Sequence, residues 1–291
     1  MKFIKGASSL KALFKRLLVA AAAFLLLTAA VGAYQMHKHA DGVPVLNYHQ
    51  INDRDENSLT IHTDQFEAEM KYLADNGYHT ITPAELLAAW DGEGALPEKP
   101  VIITFDDGYA DNYKNAYPIL QKYGLKGTIF VVSDFLGTYP NYLTWPMAEE
   151  MHKSGLIDIE SHTLSHAQLD QLGTREELDK QLRDSKQAID WHLKKDVRFI
   201  AYPCGAFNEE IEDSTLAAGY KGAFTVHYGL AEPSENRLQL DRVPVFGSNS
   251  HTLLRFKLRL LYAPIFGPLD ELQRNLRADG HEFLARLLMV P

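Results

Sequence analysis

Two adjacent carboxylates at the end of an apolar segment are the first residues in this chain that could do chemistry. Asp106 and Asp107 follow the β-favouring run at residues 101–105 and precede Gly108. A continuous apolar run of this length predicts a buried strand covered on both faces. Successive strand residues point to opposite sides, so the two acids should meet different surroundings. Two buried acids need a metal ion or a proton to relieve their repulsion; the plainer alternative is a turn whose aspartate caps a helix.

Two histidines four residues apart form a second candidate group. His162 and His166 follow a predicted strand at residues 156–160. On a helical turn, residues i and i+4 lie on one face, where two imidazoles can share a metal ion. With one carboxylate they would leave coordination positions open for water and substrate, as hydrolytic metal sites do. A surface pair formed by chance is the alternative.

The elements that must position these residues alternate between strand and helix. Strands are predicted at residues 44–49, 101–105, 126–132, 156–160, 197–201, 222–226 and 242–246. Capping boxes begin helices at Thr82 and Thr174. The alternation predicts a mainly parallel sheet, and seven or eight such units favour closure into a barrel. The ends of barrel strands gather on one face, which would bring His49, the two acids, the histidine pair and residues 203–205 together.

Three motifs taken together resemble a known family. Residues 104–109 (TFDDGY), 161–166 (SHTLSH) and 202–205 (YPCG) are similar, in order and rough spacing, to the first three motifs of the polysaccharide deacetylases, carbohydrate esterase family 4. The resemblance covers about residues 43–247. It implies a distorted (β/α) barrel of about seven strands that hydrolyses N-acetyl groups on N-acetylglucosamine-type polymers.

The resemblance also implies roles for individual residues. Asp107, His162 and His166 would hold a divalent metal, and Asp106 would be the general base. A metal lowers the pKa of bound water from near 16 to about 7, so a carboxylate can complete its deprotonation. The backbone N–H of Cys204 would help to stabilise the oxyanion, within a substrate-binding turn that also contains Tyr202, Pro203 and Gly205. Zinc is the expected metal, and cobalt, nickel or iron would also suit this ligand set.

Two departures from the family pattern lead to His49. Ala201 occupies the place of the arginine that usually orients the base, and the late leucine-x-histidine motif is not evident, since His227 and His251 lack the expected strand context. Both departures resemble the subgroup that deacetylates poly-β-1,6-N-acetylglucosamine in biofilm matrices, whose barrel is circularly permuted. There a P-V-L-x-Y-H strand brings the histidine, and residues 44–49 match it. We therefore predict that His49 is the general acid; a buried structural histidine is the alternative.

The N-terminal sequence predicts where in the cell the protein resides. Five basic residues precede an uncharged apolar run at residues 17–33. A helix of this length spans about 25 Å, and the basic flank should stay in the cytoplasm. We predict a single-pass anchor with an extracytoplasmic catalytic domain; Ala33 could instead end a cleaved signal peptide. The predicted organisation is a basic flank with anchor or signal (1–33), a linker (34–42), a deacetylase barrel (43–247) and a C-terminal helical extension (248–291).

The composition of the chain limits the classes of molecule that it is expected to bind. The 291 residues carry a net charge of −9, which argues against nucleic acid. The expected function is metal-dependent N-deacetylation of an extracellular or cell-wall polysaccharide. The alternatives are a catalytically inactive carbohydrate-binding protein on the same fold, which the missing arginine favours, and a deacylase of a small or lipid-linked amide. The candidate sugar-stacking aromatic residues are Tyr78, Phe105, Tyr109, Trp145 and Tyr202.

Overall fold

The chain divides into two compact units, Met1–Ala40 and Asp41–Pro291. The computed structural model describes residues 4–234, 236–247 and 251–288. In the first unit a single helix, α1, spans Ile4–Lys38. Among the residues that are described, no helix has both the length and the apolar character needed to cross a membrane. The anchor predicted for residues 17–33 falls partly on side chains outside the described set, those of Val19, Ala20 and Phe24, and it stays a prediction.

The second unit is built on a closed ring of seven parallel strands. The strands are β1 (Val45–Tyr48), β2 (Gln50–Ile51), β3 (Thr60–Ile61), β4 (His79–Thr80), β5 (Pro100–Phe105), β6 (Gly127–Val131), β7 (Ile157–Ser161), β8 (Phe199–Ala201), β9 (Gly222–Tyr228) and β10 (Leu240–Pro244). The ring runs β1-β10-β9-β8-β7-β6-β5, and β5 pairs back with β1. This confirms the predicted barrel. The short β4 lies beside β5 outside the ring, and β2 pairs with β3.

Helices cover the outside of the ring, and the sequence signals at their ends are seen as hydrogen bonds. The Thr82 and Thr174 hydroxyls accept hydrogen bonds from the N–H groups of Glu85 and Glu177. In return, each glutamate carboxylate accepts a hydrogen bond from the backbone N–H of its threonine. The helices of this unit are α2 (Thr63–Asp75), α3 (Pro83–Trp90), α4 (Tyr117–Tyr123), α5 (Trp145–Lys153), α6 (Arg175–Leu193), α7 (Glu209–Ala217), α8 (Leu253–Leu261), α9 (Ala263–Ala278) and α10 (Glu282–Leu287).

The barrel interior has its own apolar cluster. Phe130 on β6 and Phe224 on β9 contact each other with ring centroids 5.5 Å apart, although these strands are not neighbours in the ring. Ile102 on β5 belongs to the same buried cluster. Because side chains alternate along a strand, Thr104 and Asp106 lie on the same inward face as Ile102. The fold therefore directs Asp106 towards the barrel axis.

The helix after residue 252 is packed on the barrel. Phe256 and Leu260 of α8 are buried, and the Phe256 ring meets Tyr72 of α2 edge-on with centroids 6.2 Å apart. Tyr228 of β9 donates its hydroxyl hydrogen to the carbonyl of Arg259, 2.9 Å away. These contacts attach the basic, apolar α8 to the body of the second unit.

Candidate metal and catalytic site

The predicted metal ligands lie together at the carboxyl ends of β5 and β7. Asp107 Oδ1 is 3.4 Å from His162 Nε2 and 3.2 Å from His166 Nε2. The three ligand atoms all lie within 4.8 Å of one another. Asp107 and His162 are buried, whereas His166 is partly exposed. One oxygen and two nitrogens around a shared point, open on the His166 side, form a geometry that can hold a divalent cation.

The histidine pair meets through a loop, so the helical-turn interpretation of its spacing was wrong. Residues 162–168 form no helix. Thr163 and His166 instead adopt left-handed conformations, with φ of 68° and 58°. The Thr163 hydroxyl accepts the His166 N–H at 3.1 Å, which closes the loop. Two left-handed residues reverse the chain and bring the rings to a centroid separation of 4.9 Å.

The hydrogen bonding of His162 fits a metal ligand. Its Nδ1 lies 2.7 Å from the carbonyl oxygen of Ala201. A carbonyl can only accept, so Nδ1 carries the hydrogen, and in the neutral ring the Nε2 lone pair faces Asp107. Burial raises the pKa of Asp107, but the hydrogen bonds that it accepts from His162 and His166 when their Nε2 atoms carry hydrogen outweigh that effect, and the pKa falls below its usual range. An ionised carboxylate and an oriented imidazole are the donors that zinc and similar metals prefer.

Backbone geometry at the end of β5 sets the direction of Asp107. Asp107 and Gly108 both have positive φ, 74° and 77°. A Cβ on residue 108 would lie 3.0 Å from the Val131 side chain of β6. Glycine is therefore required here both for its conformation and for the close approach of the neighbouring strand.

Asp106 faces a different partner, as the strand alternation predicted. Arg242 from β10 holds its carboxylate in a two-pronged contact, at 2.8 Å to Oδ1 and 2.7 Å to Oδ2. Both side chains are almost fully buried. Burial alone raises the pKa of Asp106, but the guanidinium of Arg242 more than offsets this, so the pKa lies below its usual range. Asp106 is therefore ionised at neutral pH.

Arg242 was missed by the sequence reasoning. Its Nε donates to the carbonyl of Thr225 at 2.7 Å, and one Nη lies 3.3 Å from the Thr104 hydroxyl. The guanidinium also lies 5.9 Å from the centre of the Phe130 ring. These contacts fix the side chain inside the barrel, so Asp106 has a buried guanidinium beside it although residue 201 is alanine. The signal in the sequence was a single cation at an inward position of a strand, which is costly unless it is paired.

His49 follows β1, which lies between β10 and β5. Tyr48 pairs with Phe105, so His49 and Asp106 leave their strands at the same level. Its Nδ1 is buried with no protein partner among the described residues. Burial lowers the pKa of His49, although the charges of Asp106 and Asp107 oppose the shift. An imidazole whose Nδ1 has no partner within the described part of the chain, and which lies close to two carboxylates, has the arrangement of a proton donor or acceptor.

The end of β8 lies against His162, because Ala201 supplies the carbonyl that His162 contacts, and the turn follows directly. Within it the Gly205 N–H donates to the Tyr202 carbonyl at 2.9 Å, and Cys204 is left-handed with φ of 56°. Cys204 is exposed, whereas Tyr202 and Pro203 are buried. Their predicted role in substrate and oxyanion binding stays a prediction.

Other candidates from the sequence lie elsewhere in the second unit. Contrary to expectation, His227 lies within a strand, β9, where burial lowers its pKa to about 4. His251 is buried, and its Nε2 is 2.5 Å from Glu69 Oε1. Among the sugar-stacking candidates, Phe105 and Tyr202 are core residues. Three are partly exposed, of which Tyr78 packs near Tyr72, Trp145 stacks on His192, and Tyr109 follows the Asp107-Gly108 turn.

Comparison with solved structures finds the same architecture. A Streptococcus pyogenes deacetylase, PplD, in complex with acetate superposes with a TM-score of 0.70 and 27% identity, covering 75% of this chain and 98% of that one. A poly-β-1,6-N-acetyl-D-glucosamine N-deacetylase of Staphylococcus aureus is 28% identical over 224 residues, 68% of this chain and 77% of the relative. These similarities agree with the family resemblance of the motifs.

A closer similarity decides the family. The polysaccharide deacetylase family model matches residues 93–223, a range that contains Asp106, Asp107 and the histidine pair. The putative polysaccharide deacetylase YxkH of Bacillus subtilis is 40% identical over 203 residues, covering 70% of this chain and 71% of the relative. With this coverage and the grouping of the motif residues at one end of the barrel, the chain belongs to the polysaccharide deacetylase family.

Proposed function

We propose that this protein hydrolyses N-acetyl groups from an N-acetylglucosamine polysaccharide in a metal-dependent reaction. The observation that carries the proposal is the pairing of two unlike carboxylates at one strand end. Asp107 meets two imidazole nitrogens, while Asp106 meets a buried guanidinium. Hydrolysis of an amide needs both a cation that polarises the carbonyl and a separate base for the attacking water.

Asp107, His162 and His166 would hold the metal, which when bound supplies a Lewis acid for the amide carbonyl and for the attacking water. Asp106 takes the proton from the attacking water. It can do so at neutral pH because Arg242 keeps its pKa low and holds both oxygens in place. In this proposal Arg242 does from β10 what an arginine at residue 201 does in the family pattern.

His49 donates the proton that the departing amine nitrogen requires, since an amide anion is too poor a leaving group. The Cys204 N–H assists by donating to the developing oxyanion. Two observations support the first role: Nδ1 has no partner in the described ranges of the chain, and His49 lies level with Asp106. The second role rests on the place of the turn, directly after the end of β8 that contacts His162.

The first candidate substrate is poly-β-1,6-N-acetylglucosamine, because a relative named for that activity shares 28% identity with this chain. Purified, zinc-loaded protein should release acetate from this polymer faster than from peptidoglycan or a chitin-like polymer. The measurement is acetate release at matched concentrations of N-acetyl groups. Faster release from another of the three polymers would replace the substrate, and release from none of them would remove the proposed function.

The structure bears differently on the two alternative functions, an inactive carbohydrate-binding protein and a deacylase of a small amide. The inactive carbohydrate-binding alternative drew its support from Ala201, and the Asp106–Arg242 contact removes that support. A deacylase of a small or lipid-linked amide would use the same ligands and base. Acetate release from a short acetylated amine that matches or exceeds release from the polymer would favour it.

Arg242 provides a test of the base. Asp106 acts only while ionised, and the ionised form is lost as the pH falls through its pKa. Removing the cation in Arg242→Gln should raise that pKa, because the largest effect that opposes burial is then lost. In Arg242→Gln the acid limb of the kcat/KM profile should therefore move to higher pH. Arg242→Lys keeps the positive charge but loses the two-pronged contact, so the limb should move by a smaller amount. A uniform loss of activity at every pH would mean that Arg242 is only structural.

We also propose that residues 17–33 anchor the protein in a membrane and leave the barrel outside the cytoplasm. The supports are the uncharged run and the basic residues that precede it. The protein should sediment with membranes, and a protease added to intact cells with permeabilised walls should remove the barrel. A mature N-terminus at Tyr34 would show cleavage of a signal peptide, and a barrel that stays protected would contradict the proposed location.

A further inference from the structure

Four aromatic rings form a contiguous group that begins two residues after Asp107. We call this group, made of Tyr109, Tyr142, Phe135 and Tyr139, the aromatic ladder. Tyr109 stacks on Tyr142 with ring centroids 4.9 Å apart. Phe135 meets Tyr142 edge-on at 4.8 Å and Tyr139 edge-on at 5.0 Å, and Tyr139 also meets Tyr142 edge-on at 6.1 Å. The ladder thus leads from the residue after Gly108 out to the loop between β6 and α5.

Backbone hydrogen bonds hold the ladder in register with the metal site. Ala110 N–H donates to the Asn141 carbonyl at 2.8 Å, and Leu143 N–H donates to the Gly108 carbonyl at 2.9 Å. Between them Tyr109 and Tyr142 form an isolated antiparallel bridge. The rings are therefore attached rigidly to the turn that carries Asp107. A binding surface built on this loop would have a fixed offset from the reaction centre.

The ladder is not core packing. Its outer member, Tyr139, is 51% exposed, and the other three rings are partly exposed. Contiguous exposed aromatic surface at a site marks a place where a ligand with apolar faces binds. Aromatic rings keep few rotatable bonds, so they offer contact area at a low cost in conformational entropy.

A polar cleft lies along the same loop. Its volume is about 480 Å³, and Pro140 and Asn141 form one wall. Asn52, Asp55 and Asp111 also line it. Asn52 Nδ2 donates to Asp111 at 2.7 Å and to Asp55 at 3.1 Å, so these groups are already ordered. Amides and carboxylates next to aromatic rings can bind the hydroxyl groups of a ligand whose C–H faces stack on the rings.

We propose that the aromatic ladder and this cleft bind the sugar units that flank the unit being deacetylated. The ligand class is a chain of N-acetylhexosamine units, which present C–H faces to the rings and hydroxyl or amide groups to the cleft. The inference rests on the proposed function and adds to it a preference for chains over short fragments. Tyr139, the most exposed ring of the ladder, contacts a flanking unit in this arrangement.

The test compares a hexamer and a dimer of β-1,6-linked N-acetylglucosamine on the zinc-loaded full chain. In Tyr139→Ala the ratio of kcat/KM for the hexamer to that for the dimer should fall by about 3- to 10-fold, the usual range for one aromatic contact. Tyr139→Phe keeps the ring and should retain most of the ratio. The matched control is Trp191→Ala, which removes a 66% exposed ring from α6. An unchanged ratio in Tyr139→Ala, or an equal fall in Trp191→Ala, would overturn the proposal.

A binding measurement separates this proposal from the proposed function. Calorimetry of the hexamer on metal-free protein should show a Kd that rises by a similar factor in Tyr139→Ala. If the wild-type protein releases no acetate, the proposed function fails. The calorimetry would still show whether the aromatic ladder binds the sugar chain. Equal hexamer affinity in wild type and Tyr139→Ala, or no binding by either, would reject it.

Discussion

Asp106→Asn should retain its full metal content and lose acetate release by about 10²- to 10⁴-fold, the usual worth of a positioned base. The asparagine cannot accept a proton from water, but it keeps the shape of the side chain beside Arg242. Asp107→Ala, His162→Ala and His166→Ala should lose both stoichiometric metal and activity, since each removes a ligand from a three-ligand site. Elemental analysis and acetate release, measured on the same preparations, check both statements.

The control for this series is Asp170→Asn, which changes an exposed carboxylate in the loop after the histidine pair. It should leave metal content and turnover as in the wild type. Full metal occupancy in all three ligand variants would remove the proposed site. Loss of metal in Asp106→Asn would mean that the roles of the two acids are reversed. Thermal melting of each variant separates these outcomes from unfolding, since Asp106→Asn also weakens a buried ion pair.

His49→Ala should lower kcat by about 10²- to 10⁴-fold, as expected for loss of a positioned general acid. Metal content and thermal stability should change little, because Nδ1 has no hydrogen-bond partner to lose among the described residues. An acid acts in its protonated form, which is lost as the pH rises through its pKa. In the wild-type protein, kcat should therefore fall at alkaline pH as His49 loses its proton. This fall should be absent in His49→Ala.

The expected behaviour of His49→Gln sharpens this test. Glutamine can still fill the space and form hydrogen bonds, but it cannot titrate, so its kcat should be as low as that of the alanine variant. Recovery of kcat in His49→Gln would show that the residue only orients substrate or packs the barrel mouth. Near-normal kcat in His49→Ala would make His49 structural and place the acid elsewhere.

Much of the site was predictable because its residues lie next to strand ends that the sequence marks clearly. The apolar run before Asp106, with glycine at residue 108, predicted both the strand and the turn. Parallel strands in a barrel must end on the same face, so the gathering of the two acids and the histidine pair at one end followed from local patterns. The family resemblance implied that Asp107 is the acid that joins the histidines. The three motifs are short, and each carries its chemistry within a few consecutive residues.

The tertiary structure alone decided which residues complete those motifs. Arg242 reaches Asp106 across 136 positions of sequence, because barrel closure brings β10 beside β1 and aims the arginine inward at β5. The histidine pair meets through two left-handed residues that no periodicity reveals. Burial sorted the aromatic candidates, leaving Phe105 in the core and Tyr109 at the start of the aromatic ladder. Sequence patterns report local backbone and spacing, whereas pairing across the barrel and exposure depend on contacts between distant segments.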